Sequence, residues 1–419
     1  MRRVDRAIEY VRASLWIAPG VGVAVAVACG LGTVAIDHTT DTGLGFTGGA
    51  EGARSVLSTI AAAMITFTGL VFSITIVALQ LASGQFSPRV MRTFLRDRTS
   101  KLALATFVAT FSYAFTVLRA TRADSVPAIS VTISIVLVFV SVGVFIHYIN
   151  HTAHAIRAST VIEAVAAETR DSLERNYPAE LEDPALGPSL PAGGAPAVMT
   201  NRGEPGVVTG FDLESIVDRA SAAGGVVVLR AGVGDFVPRD APLVEVHAAA
   251  AEDCDIAACV SIGQERTMQQ DTAFGFRQLV DLAAKALSPG INDPTTAVQA
   301  IDQIHDLLRR LATRPIPPGQ ATDDDGIVRL VYPTLDWDDF VSLALDEIRI
   351  YGADSLQIHR RLHALLDDLS TVVAPDRQPV LGEQAQLLAA AAERELPEAL
   401  KENPPGHSPA EGLGRGWPS

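Results

Sequence analysis

The chain of 419 residues is long enough for two or three domains, and its hydrophobic content of 48% is high for a protein that lies wholly in water. Residues 1–150 hold 12 Lys and Arg against 7 Asp and Glu, whereas residues 151–419 hold 21 against 41. The two parts therefore carry net charges of +5 and −20, and the chain −15. An acidic C-terminal part argues against nucleic-acid binding, which depends on basic patches that neutralise phosphates. The three cysteines indicate neither a disulfide framework nor a metal site.

Four apolar segments in the first 150 residues predict an α-helical membrane domain with four transmembrane helices. The predicted spans cover residues 13–36, 56–83, 102–118 and 128–148. No Asp, Glu, Lys or Arg interrupts their apolar runs. Proton relays, voltage sensors and many ion-coupled carriers need ionisable groups at membrane depth, so the sequence argues against those mechanisms.

The charges between the spans predict one orientation. Residues 1–12 and the connection 84–101 are rich in Arg, whereas residues 37–55 hold three acidic residues and a single Arg. The positive-inside rule then places both termini in the cytoplasm of a multi-pass protein of the inner (plasma) membrane. The bilayer is therefore its expected surrounding, and the C-terminal part is expected to lie in the cytoplasm.

The second span carries polar side chains every seven residues, a spacing that keeps them on one face of a helix. These residues are Thr59, Thr66, Ser73, Gln80 and Ser87. Two interpretations stay open: the face lines a hydroxyl-rich conduction path, or it packs against another helix. Thr68 and Thr75 mark the opposite side of the helix, which predicts that protein surrounds it.

Two features flank the bilayer on the predicted cytoplasmic side. Pro88 can start an amphipathic helix with Arg89, Arg92 and Arg96 on its basic side, either an interfacial helix or a gating elbow. The fourth span ends with His147, His151 and His154 on one helical face. That face could sense pH, bind a metal or simply pack at the interface, and no carboxylate accompanies it to complete a metal site.

The C-terminal part predicts an α+β region beneath the membrane domain. Its expected segments are a helical stalk over 151–177, a linker over 178–200, a small β-barrel-like module over 201–248, a helical domain over 262–400 and a disordered tail over 402–419. The β module resembles a lipoyl-type carrier domain, but no Lys occurs between residues 101 and 285 to hold a swinging arm. No cofactor is therefore expected.

The stretch "ALSPGINDPTTA", residues 286–297, joins two predicted helices. Asp293 followed by Pro294 predicts a helix start, because Asp caps free N–H groups and Pro fits the first helical position. The stretch is either a structural corner or part of a ligand pocket or subunit interface. The candidate residues for such a pocket are Arg266, Asp271, Ser288, Asn292 and Asp293.

Several long motifs occur together in a fixed order: "QLASGQFSPRVMRTFLRDR", "GDFVPRDAPL", "GQERTMQQDTAFGFRQLVDLAAKALSPGINDPTTA" and "IRIYGADSLQIHRRL". With them the chain, from the first span to about residue 395, resembles the family of predicted bacterial membrane proteins catalogued as domain of unknown function 2254. The resemblance implies a multi-span membrane protein with a cytoplasmic C-terminal half, and it implies no activity or catalytic residues.

Two functions remain as hypotheses. One is a homo-oligomeric channel or passive conduit for an ion or small molecule, with a cytoplasmic regulatory domain. The other is a membrane-anchored sensor or scaffold whose C-terminal part binds a ligand or partner. Catalysis is not expected, because the sequence has no GxSxG, HExxH or P-loop motif.

Overall fold

The computed structural model describes residues 17–39, 46–85, 98–122, 125–155, 157–180, 196–247 and 256–396. The chain divides into two compact units, an N-terminal unit that ends at Val161 and a C-terminal unit that begins at Ile162. The predicted elbow residues Arg89, Arg92 and Arg96, together with Ser87 and the predicted tail 402–419, lie outside the described residues.

The described residues of the N-terminal unit form four helices: α1 (Ile17–Thr39), α2 (Gly49–Gln85), α3 (Arg98–Ala120) and α4 (Ala128–Ala155). All four are long and apolar enough to cross a membrane, which confirms the predicted helical spans. Helix α3 packs against each of the other three helices, and it is the most buried of the four spans.

Small residues let α1 approach α3 closely. A methyl group added at Gly22 would lie 3.0 Å from the carbonyl oxygen of Ala105, and one at Gly30 would lie 3.1 Å from the side chain of Thr116. Helices in lipid associate through such close contacts, because burial of apolar surface from lipid gives no driving force.

Seven α-helices lie in the described residues of the C-terminal part. They are α5 (Ala158–Asn176), α6 (Leu213–Ala222), α7 (Thr272–Ala286), α8 (Pro294–Ala312), α9 (Trp337–Tyr351), α10 (Leu356–Ser370) and α11 (Gln378–Glu395). Helix α8 begins where the sequence predicts it: Asp293 accepts a hydrogen bond from the backbone N–H of Thr296 at 3.1 Å, and Pro294 is the first helical residue. Its apolar face is fully buried, as the spacing of Ala297, Ile301 and Ile304 predicts.

The strands form two open sheets. Their bounds are β1 (Ala197–Thr200), β2 (Gly206–Phe211), β3 (Val226–Leu229), β4 (Phe236–Val237), β5 (Pro242–His247), β6 (Val260–Gly263), β7 (Gln320–Thr322) and β8 (Val328–Val331). One sheet has the order β1-β5-β3-β8-β7 and the other β4-β2-β6. All pairs are antiparallel except β3 with β8.

The structure does not show the predicted barrel-like module over 201–248. Neither sheet among the described residues closes on itself, and β1, β6, β7 and β8 lie outside that range. The reason is tertiary: β8, about a hundred residues along the chain from β3, pairs with it and buries Leu330 against Val227 and Val244. The predicted helical domain over 262–400 is correspondingly interrupted by the β7–β8 hairpin.

Candidate functional site

The polar face of the second span lies on the outside of the helical bundle. Thr59, Thr66, Ser73 and Gln80, called here the α2 stripe, are all exposed in the N-terminal unit. The buried face of the same helix is apolar and includes Leu57, Met64 and Val71. No helix of the described bundle therefore covers the α2 stripe.

The hydroxyl groups of the α2 stripe are satisfied by their own helix. Thr59 donates to the carbonyl oxygen of Ser55 at 2.8 Å, Thr66 to that of Ala62 at 3.1 Å and Ser73 to that of Gly69 at 2.9 Å. Such local hydrogen bonds remove the cost of placing hydroxyl groups in lipid. The stripe can consequently face lipid, a second copy of the chain or a polar path.

The other polar side of α2 faces inward. The hydroxyl of Thr75 lies 2.8 Å from that of Tyr148, which is fully buried on α4 and also donates to the carbonyl oxygen of Val71 at 3.2 Å. Of the two polar sides that the sequence shows on α2, one is packed by protein and the other is not.

Buried hydroxyl groups run along the inside of the bundle, mainly on α3 and α4. The sequence pattern did not predict them. Thr110 lies 3.1 Å from Ser141, and Tyr113 lies 2.8 Å from Thr33. Ser134, Ser141 and Tyr148 are each fully buried and follow one another at seven-residue spacing on α4. That spacing is visible in the sequence, but their burial depends on which face of α4 meets α3.

Charged side chains cap helix ends at one boundary of the bundle. The carboxylate of Asp37, at the end of α1, accepts hydrogen bonds from the backbone N–H groups of Ile129 and Ser130 at 3.0 Å each. Arg54 donates to the carbonyl oxygen of Thr121, just beyond the end of α3, at 3.1 Å. An anion at a helix N-terminus and a cation at a C-terminus both oppose the helix dipole, so these contacts stabilise the bundle.

The histidine face at the end of α4 keeps its predicted helical geometry. The rings of His147 and His151 are stacked with centroids 6.3 Å apart, and His154 lies at the end of the helix. No group of three metal-ligating side chains occurs in the described part of the chain, here or elsewhere.

Arg266 and Asp271 form one closed contact at the start of α7. Arg266 donates to both carboxylate oxygens of Asp271, at 2.7 and 2.9 Å, and its guanidinium lies 5.2 Å from the ring centroid of Phe274. Asp271 is 4% exposed and also caps α7 by accepting from the backbone N–H of Phe274 at 3.0 Å. Burial and this carboxylate raise the pKa of Tyr177 to about 12.

The neighbouring Gln270 and Ser172 tie other elements to the same point. Gln270 pairs with both backbone groups of Phe211 on β2, at 2.8 and 3.0 Å, as an additional strand residue would. Ser172 on α5 donates to the carbonyl oxygen of Met268 at 2.7 Å. The long motif around residue 270 is thus a joint between α5, α7 and a sheet.

The other three candidate pocket residues lie at the opposite end of α7. Ser288 donates to the carbonyl oxygen of Lys285 at 2.7 Å, Asn292 adopts a left-handed conformation with φ of 49°, and Asp293 caps α8. Helix α7 has 15 residues, which separates the two groups by about 22 Å at 1.5 Å per residue. The structure does not bring the five side chains into one pocket, and the stretch 286–297 is a corner between two helices.

A polar network between α8 and α10 also escaped the sequence analysis. Nε2 of His305 lies 2.8 Å from the Asp368 carboxylate, to which Arg309 also donates. Nη2 of Arg361 lies 2.8 Å from Nδ1 of His305, and Nε donates to Asp302 at 2.5 Å. Because Arg361 can only donate, Nδ1 accepts, and His305 is a neutral ring that donates from Nε2.

The charges around His305 set its protonation. Burial, and secondly the nearby Arg361 cation, lower the pKa of His305. Burial raises the pKa of Asp368, but hydrogen bonds from Arg309 and His305 outweigh it and lower that pKa overall. The network holds together while His305 is neutral. The sequence signal was weak, since its five members are spread over 67 positions.

Comparisons with known proteins place this chain among membrane proteins. The family profile described as "Predicted membrane protein (DUF2254)" matches residues 12–368. An uncharacterised protein of Mycobacterium bovis and one of Mycobacterium tuberculosis are each 33% identical to this chain, over 94% of its length and 79% of theirs. No solved structure matches the chain.

Proposed function

This chain belongs to the family of predicted membrane proteins catalogued as domain of unknown function 2254, and we propose from that premise that it forms an oligomeric passive conduit with a regulatory C-terminal unit. The four candidate spans supply the membrane part. The observation that carries the proposal is the position of the α2 stripe, on the outside of the bundle.

The α2 stripe suits contact with a second copy of the chain. Gly69 lies on the same face as Ser73, and a methyl group added at Gly69 would meet nothing within 4 Å. Small residues let helices of two copies approach, and hydroxyl groups line the surface that they would share. A ring of copies would place the stripe around a common axis, where a polar face is favourable and lipid is excluded.

The absence of charge within the spans favours passive movement. The Asp, Glu, Lys and Arg residues of the four helices all lie within six residues of a helix end, and Asp37 and Arg54 act there as caps. Coupling to a proton or ion gradient normally requires such groups at membrane depth. A polar, uncharged path suits the downhill movement of a small solute or ion.

A flux assay tests the proposal. Purified protein in vesicles is assayed for leakage of K⁺, Cl⁻ and glycerol, with Ser73→Leu and Gln80→Leu as stripe variants. We expect both variants to reduce leakage, since each places an apolar side chain in the path. Phe72→Leu is the matched control: Phe72 is also exposed, next to Ser73 and off the stripe. Leakage that stripe and control variants change equally contradicts the assignment of the path.

Crosslinking tests the assembly separately. In a chain whose three cysteines are replaced, Ser73→Cys should form a disulfide between copies under mild oxidation, and Phe72→Cys should not. A chain that stays monomeric in vesicles contradicts the conduit, because a single α2 cannot enclose a path.

The alternative function is a membrane-anchored sensor, which the network around His305 favours. Its proton-dependent pairing of α8 and α10 would let the C-terminal unit respond to a signal while the spans act as an anchor. Folded protein that shows no flux under any voltage, tension or pH supports this alternative.

A further inference from the structure

Three segments of the C-terminal part meet at one end of its helical layer. Helix α5 runs antiparallel to α7, since Ser172 lies 2.9 Å from Thr272 and Asn176 donates to the carbonyl oxygen of Gln269. Continuing that register sets Ile162, the first residue of the C-terminal unit, level with Leu282 near the C-terminal end of α7. Helix α5 therefore enters the C-terminal unit at the end of α7 that leads into the turn 287–293.

The turn 352–355 lies at the same end. Helices α8 and α10 run parallel, because Arg361 pairs with Asp302 near their starts and Arg309 with Asp368 further along. The start of α10 is thus level with the start of α8, which follows the turn 287–293 directly. We define the turn end as the turns 287–293 and 352–355 together with Ile350 and Tyr351, the last two residues of α9.

The turn end exposes large apolar side chains. Ile350 is 62% exposed, Tyr351 51% and Ile291 39%. The neighbouring positions on α9 and α10, among them Ile348 and Ile358, are buried, so the exposed side chains are not needed to close the core. They lie at the end of the helical layer at which α5 enters the C-terminal unit.

The covalent connection sets how far that end can be from a bilayer. Candidate span α4 ends at Ala155 and α5 begins at Ala158, so three residue steps, at most about 11 Å, separate them. We propose that the turn end rests on the membrane surface, with Ile350, Tyr351 and Ile291 inserted among lipid headgroups. The proposal depends on the membrane assignment of α4 and not on the proposed conduit.

The chemistry of the turn end selects the lipid. Tyr and apolar side chains occupy the headgroup level of membrane proteins, where one end of the ring is wet and the other apolar. Two basic side chains lie next to the turn end, Lys285 in the last turn of α7 and Arg349 in the last turn of α9. Arg349 pairs with Asp346, and Asp293 and Asp354 offset Lys285. The binding energy therefore comes from apolar burial, and zwitterionic phosphatidylcholine suffices without anionic lipid.

Collision of spin labels with oxygen or with a nickel chelate measures this contact in the full chain. In a background with Cys29, Cys254 and Cys259 replaced by Ser, single labels are placed with Ile350→Cys and Ile291→Cys in phosphatidylcholine vesicles. Ile327→Cys is the matched control, because Ile327 is 49% exposed and lies beyond the C-terminal end of α8, away from the turn end. Elution as a single folded species is required of each variant.

We expect the ratio of oxygen to nickel-chelate collisions to be several-fold higher at positions 350 and 291 than at 327, and to fall to the control value when vesicles are exchanged for a short-chain detergent. Equal ratios at the three positions overturn the proposal. A high ratio that disappears when the chain is diluted with additional lipid also overturns it, since a second copy would then cover the turn end.

Discussion

The two units of this protein pair their interior polar groups in different ways. In the N-terminal unit the pairs are hydroxyl with hydroxyl, as between Thr110 and Ser141 or Thr75 and Tyr148. Among its described residues the C-terminal unit has one such hydroxyl pair, Ser172 with Thr272, and adds pairs of guanidinium with carboxylate, as between Arg266 and Asp271 or Arg361 and Asp302. These pairs follow the rule that a buried polar group needs a partner. The surrounding medium decides which partners are possible, because an ion costs far more to place in lipid than a hydroxyl does.

The largest expected effect concerns close helix contact in the C-terminal unit. A methyl group at Gly275 on α7 would lie 2.1 Å from the hydroxyl oxygen of Thr169 on α5, so Gly275→Ala must push two helices apart. We expect a loss of about 3 kcal/mol in the free energy of unfolding. Hydrogen exchange of α5 and α7 amides measures it. Gly290→Ala is the control, because a methyl group there meets nothing within 4 Å, and a similar loss in both variants would refute the packing argument.

The next prediction compares the stability lost when Asp271, which caps a helix and forms an ion pair, and Asp293, which caps a helix, are each replaced. Asp271 both caps α7 and binds the Arg266 cation, whereas Asp293 caps α8 and otherwise accepts from the hydroxyl of Thr296. Asp271→Ala should cost about 2 kcal/mol, since it also leaves Arg266 without its anion. Asp293→Ala should cost about 1 kcal/mol, the usual value of a cap. The protection of α7 and α8 backbone amides against hydrogen exchange measures both costs. Equal losses of stability in the two variants would show that the ion pair with Arg266 contributes nothing.

A smaller effect is expected inside the N-terminal unit. Thr110→Val keeps the shape and removes the bond to Ser141, at a cost of about 0.6 kcal/mol, the average for hydrogen bonds between membrane helices. Thr132→Val is the control, because Thr132 is exposed and donates only to its own helix. Unfolding in mixed micelles measures both variants. A cost for Thr110→Val as large as that of Asp271→Ala would contradict the comparison between the units.

The last prediction concerns a loss of stability of the C-terminal unit that is absent at neutral pH and grows in acid. The pKa of His305 is lowered in the folded protein, so below about 6.5 the unfolded chain binds more protons and the C-terminal unit loses stability. His305→Gln should remove this loss, because its amide can donate to Asp368 and accept from Arg361 without titrating. Unfolding measured from pH 7.5 to 5 tests it. Identical pH dependence in both proteins would exclude His305 as the titrating group.

Much of the fold can be predicted from local pattern. The four apolar helices follow from segment length and hydropathy, since a span of about 30 Å needs roughly 20 apolar residues whatever its neighbours are. The start of α8 at Asp293 and Pro294 follows from capping chemistry, which involves only residues three or four apart. The stretch 286–297 is likewise a corner because of its own turn residues, including the left-handed Asn292.

Only the tertiary structure decided which residues far apart in the sequence pair with each other. The β3–β8 pair, which leaves the sheets open, joins positions about a hundred residues apart, and no local period reports it. The seven-residue spacing marks both the exposed α2 stripe and the buried hydroxyls of α4, so the pattern cannot say which face meets α3. Likewise Arg266 and Asp293 look equally near a pocket until the length of α7 separates them. Sequence period specifies a face of a helix, and only packing specifies what that face touches.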